Sequence, residues 1–66
     1  MDKDIWYHVI VRNRGILHNQ GAYKSRDAAQ NRTDGVQGGE VSIFKTFTSD
    51  LNKALQEFRD AEVKAL

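Results

Sequence analysis

The chain has no cysteine and no proline, and among its 66 residues there are only two histidines and six aromatic side chains. Without cysteine, no disulfide can constrain the unfolded state. With His8 and His18 as the only soft ligands, a zinc or copper site lacks the donors it needs, and no metal or other cofactor is expected. The opening Met-Asp-Lys-Asp carries no apolar leader, and no apolar run reaches the roughly 18 residues of a membrane span. A cytoplasmic location is the expectation. No nucleophile is spaced with a base, and no glycine-rich phosphate loop is present, so neither catalysis nor a small-molecule substrate is expected.

What the chain does have is enough apolar material for one small domain over residues 1–66. It is 39% hydrophobic and 29% charged, which is the composition of a folding sequence and not of a disordered one. A body of this length buries only about 60% of the surface that its unfolded form exposes. Lacking disulfides and metal, such a domain leans on oligomerisation or on unusually good packing. The net charge of +1 hides an asymmetry. Residues 1–33 hold six Lys/Arg against three Asp/Glu, and residues 34–66 hold four against six. The basic excess can draw an anionic partner.

The densest β-branched and aromatic stretch is Ile5-Trp6-Tyr7-His8-Val9-Ile10-Val11. One parity gives Ile5, Tyr7, Val9 and Val11, the other Trp6, His8 and Ile10, so both faces are largely apolar and the strand belongs in the middle of its sheet. Arg12-Asn13-Arg14-Gly15 then offers positive-φ residues for a tight hairpin. The returning strand, Ile16 to about Tyr23, is polar and contains Gly21, which suits an edge. Pairing Val11 with Leu17 places Tyr7 opposite Gly21 and both histidines on one face, and a bulge at Gly21 would shift that register.

Ser25 caps a short, weakly apolar helix with Ala28 and Ala29 as its buried candidates and Gly35 as its stop. Glu40 to Phe47 reads as a third strand, placed on the free side of the first. Thr48 or Ser49 caps a last helix from Leu51 to Leu66, with Asp50 near its positive end. Its stripe is Leu51, Ala54, Leu55, Phe58, Ala61, Ala65 and Leu66, and Glu62 lies in the middle of that stripe, where a basic partner would make it tolerable. Val63 falls outside the stripe. The expected fold is α+β in ββαβα order, with a three-stranded antiparallel sheet of order 2-1-3, a short helix and a longer amphipathic C-terminal helix.

Two binding functions are expected from these features. In the first, both helices share one face of the sheet, and the other, carrying Trp6, Ile10, Ile16 and Phe44, is an exposed interface for a homodimer or for another protein. In the second, a single-stranded nucleic acid stacks on Tyr7 and Tyr23 and meets the cations Arg12, Arg14, Lys24 and Arg26. A third arrangement, with the helices on opposite faces, closes the monomer on itself.

Overall fold

The computed structural model describes residues 4–65. Five elements follow one another as β1 (Trp6–Asn13), β2 (Ile16–Tyr23), α1 (Arg26–Asp34), β3 (Glu40–Thr46) and α2 (Leu51–Ala65). The three strands form one antiparallel sheet in the order β2-β1-β3, so the two-sided apolar strand is its interior member.

The β1–β2 turn is as short as a hairpin permits. Arg14 (φ 55°) and Gly15 (φ 80°) both adopt positive φ, the type I′ geometry whose twist matches that of the flanking strands. Asn13 instead ends β1. The pairing runs Arg12 to Leu17, Val11 to His18 and Ile10 to Asn19, then resumes with His8 to Ala22 and Tyr7 to Tyr23. The two-residue turn already sets the register one position from the expected Val11–Leu17 pairing, and Gln20 and Gly21 then oppose Val9 alone, a bulge that makes the difference two positions at Tyr7. The Asn19 side chain holds this bulge by accepting from the Gly21 N–H at 2.9 Å. Tyr23, and not Tyr7, lies over the glycine: a Cβ there would come within 3.2 Å of the Tyr23 hydroxyl.

Alternation along β1 decides where the helices go. Val9 and Val11 point to one side, where Ala29 of α1 meets them with Tyr7, Tyr23, Val36 and Ile43 around the edge. His8 and Ile10 point to the other, where α2 lies with Ala54 buried and Phe58 set edge-on against Phe44, ring centroids 5.3 Å apart. The helices therefore occupy opposite faces of the sheet, and β1 is covered twice. Val9, Ile10 and Val11, each 5% exposed or less, contribute about 1.5–3 kcal/mol apiece through burial. An alanine at the α1 contact lets a thin helix approach closely while burying little area.

Both helix starts are capped. The Ser25 hydroxyl accepts from the Ala28 N–H at 3.1 Å, and Asp50 accepts from the Lys53 N–H at 3.0 Å. Asp50 is thus the cap of α2. Thr48 acts one step earlier, its hydroxyl accepting from the Asp50 N–H. Leu66, placed on the apolar stripe by its spacing, lies outside the described residues, and no described helix is long and apolar enough to cross a membrane.

Gly38 and Gly39, at φ 81° and 83°, bring the chain into β3. A Cβ at Gly39 would sit 2.7 Å from the Arg12 carbonyl oxygen, whereas one at Gly38 would meet nothing within 4 Å. Gly38→Ala is expected to cost about 1 kcal/mol from backbone strain, and Gly39→Ala at least about 2 kcal/mol more because Arg12 must also move. Equal midpoints for the two variants in urea denaturation would contradict this close approach.

Candidate functional site

His8 is fully buried and has a partner on each ring nitrogen. The Thr48 carbonyl can only accept, so Nε2 carries the proton and donates to it at 2.7 Å, with the Thr46 hydroxyl oxygen 3.0 Å away. Nδ1 then accepts from the Asn19 amide at 3.0 Å. The same Asn19 nitrogen donates to the Leu51 carbonyl at 3.2 Å, and Thr46 donates to Thr48 O at 2.8 Å. One imidazole thus ties β1 to the β2 bulge, the end of β3 and the start of α2. With both nitrogens engaged it has no lone pair for a metal or for proton abstraction. His18 pairs with Val11 and belongs to the other face, so the two histidines do not converge. Among the described residues no cluster of His, Cys, Asp or Glu has the makings of a metal site.

The expected apolar interface does not assemble. Ile10 is 1% exposed beneath α2, Phe44 is half-buried against Phe58, and Trp6 is half-buried with the Lys24 ammonium 4.2 Å over its ring. Ile16 is 59% exposed, but it pairs with Asn13 and so has the parity of the α1 side. The physical reason is the placement of α2, which covers the face that was to remain open.

The basic residues separate in the same way. Arg12 turns to the α2 side and forms an ion pair with Glu62, the carboxylate in the middle of the α2 stripe. That hydrogen bond raises the guanidinium's already high pKa, while desolvation works against it. Lys24 is paired with Asp4 at 3.1 Å on the Trp6 side, and Arg14 stands at the hairpin tip.

Tyr7 and Tyr23 do come together, packed at the edge of the Val9, Val11 and Ala29 cluster, and a residue not anticipated shares their row, while Arg26 lines a separate groove on the same side. In the sheet register Tyr7 lies between Tyr23 on β2 and Lys45 on β3, making one row across the α1 side. Both tyrosines are half-buried and Lys45 is exposed. Arg26, the first residue of α1, lines an open groove of about 390 Å³ with Gln30, Thr33, Val41 and Ile43, and Ile43 is two positions from Lys45 along β3. The signal for Lys45 was present in the antiparallel pairing of β3 with β1, where it falls opposite Tyr7.

Carboxylates are distributed unevenly about this row. Asp4, Glu40, Asp50, Glu57, Asp60 and Glu62 are on the α2 side, lining its depressions or carried by α2 and its cap. Only Asp27 and Asp34 accompany Arg26, Arg32 and Lys45 on the α1 side. Comparison with protein-family models, with curated proteins and with solved structures finds no match to the chain.

The His8 network yields a stability test. His8→Phe puts a somewhat larger apolar ring in a fully buried place and takes one hydrogen-bond partner each from the Asn19 amide and the Thr48 carbonyl, and is expected to cost about 2–4 kcal/mol. A loss below about 0.5 kcal/mol in urea denaturation would mean that packing alone holds this corner.

Proposed function

We propose that the chain is a small non-catalytic module that binds single-stranded nucleic acid on the α1 side of its sheet. The observation that carries this reading is the row Tyr23, Tyr7, Lys45, with Arg26 in a groove on the same side, the side holding the fewest carboxylates. Aromatic faces accept any base by stacking, worth about 1–3 kcal/mol per base, and flanking cations meet the phosphates between stacked bases. The six carboxylates of the α2 side are nearly matched by Arg12, Lys24, Lys53, Arg59 and Lys64, whereas Arg26, Arg32 and Lys45 outnumber Asp27 and Asp34 on the α1 side, a small difference of charge toward that face.

Two phosphate contacts, one each from Lys45 and Arg26, imply a shallow salt dependence, with a log–log slope of about −1.4 for a single strand. Titration of a mixed-sequence single-stranded oligonucleotide at low salt should shift amides centred on residues 7, 23 and 45. Lys45→Glu and Arg26→Glu should each weaken binding about tenfold or more, whereas Arg14→Ala and Arg12→Ala should leave it unchanged. Shifts scattered over the hairpin tip and α2, or a Lys45→Glu variant that binds like the parent, would overturn the assignment.

A further inference from the structure

The two edges of the sheet are not equivalent. The outer side of β2 is interrupted by the bulge at Gln20 and Gly21, a device that discourages pairing with another strand. β3 pairs with β1 without irregularity from Arg12–Glu40 to Trp6–Thr46, contains no glycine, and has no strand on its other side among the described residues. Next to this straight edge lies the uncovered floor of the α1-side groove, where Val41 is 37% exposed and Ile43 half-buried.

We infer that two copies of the chain pair antiparallel along β3 about a two-fold axis through Ile43, joining two three-stranded sheets into one of six strands. This does not require the nucleic-acid reading, although it draws on Lys45 and the floor of the same groove. A two-fold perpendicular to the sheet brings like faces together, and full overlap of Glu40–Thr46 then admits one register. On the α1 side Ile43 meets Ile43 of the second copy, and Val41 meets Lys45 of the second copy twice. On the α2 side Glu40 meets Thr46 and Ser42 meets Phe44. No like charges are opposed, and the four apolar side chains of the two groove floors become contiguous.

Sedimentation equilibrium of the nucleic-acid-free protein from tens to hundreds of micromolar should show a reversible dimer. V41K opposes a lysine to Lys45 on both sides of the axis and should raise the dissociation constant about tenfold or more. The double variant V41K/K45E restores opposite charges at both places and should recover the parental constant. Circular dichroism melts at low concentration, where all three are monomers, verify that each is folded. A parental protein monomeric throughout this range would overturn the inference. So would a V41K variant that associates like the parent, or a double variant that stays as weak as V41K.

Discussion

One strand that is apolar on both faces imposes the plan of this molecule. Side chains alternate across β1, so Val9 and Val11 can be shielded only from one side and His8 and Ile10 only from the other. A sheet with a single covering layer would leave half of that strand in water. The chain resolves this with two unequal helices on opposite faces: α1, which buries only Ala29, and α2, which supplies Ala54 and Phe58. Sixty-six residues suffice because each face is covered only where β1 runs beneath, and the flanks of the sheet are left half-open.

The polar centre of this arrangement is His8. An imidazole at 0% exposure would be costly without partners, and here every ring nitrogen has one. Its bonds reach the bulge of β2, the last residues of β3 and, through Asn19, the first turn of α2. The bulge adjoins the same network, since Asn19, opposite Ile10 and on the His8 side of the sheet, bonds His8 and also accepts from the Gly21 N–H within the bulge. Arg12 and Glu62 close the far end of α2 in a similar way, although that pair is largely solvated and contributes little.

Much of this was legible in the sequence, because it rests on local periodicity. The interior position of β1, the 2-1-3 order, the cap at Ser25 and the covered middle of the stripe at Ala54, Leu55 and Phe58 follow from alternation, propensity and helical phase, whereas the α2 cap fell on Asp50 and not on Thr48 or Ser49, and Leu51, Ala61 and Ala65 of the stripe are exposed. The remainder depended on contacts between residues far apart in the chain. Helical phase identifies the apolar face of α2 but not which side of the sheet receives it, and that choice sealed Ile10 and dispersed the expected apolar patch. The Arg12–Glu62 pair, which accommodates the charge on the stripe, spans 50 residues. Gly21 marked a possible bulge in the sequence, but the hydrogen bond from Asn19 to His8 beside it joins two strands, and no pattern within β2 announces it. Lys45 was missed as a companion of Tyr7 because the basic cluster was sought within one stretch of chain, whereas a sheet gathers its row from three.

Native-state hydrogen exchange tests the central claim most directly. If β1 is the interior strand shielded by both helices, the amides of His8 to Val11 that bond to β2 and β3 exchange only through global unfolding and are the slowest in the molecule. Amides of the outward edges of β2 and β3 then exchange by local opening, orders of magnitude faster. Amides of β1 that exchange as fast as those edges would contradict the account, since a strand so exposed would not be closed between two layers.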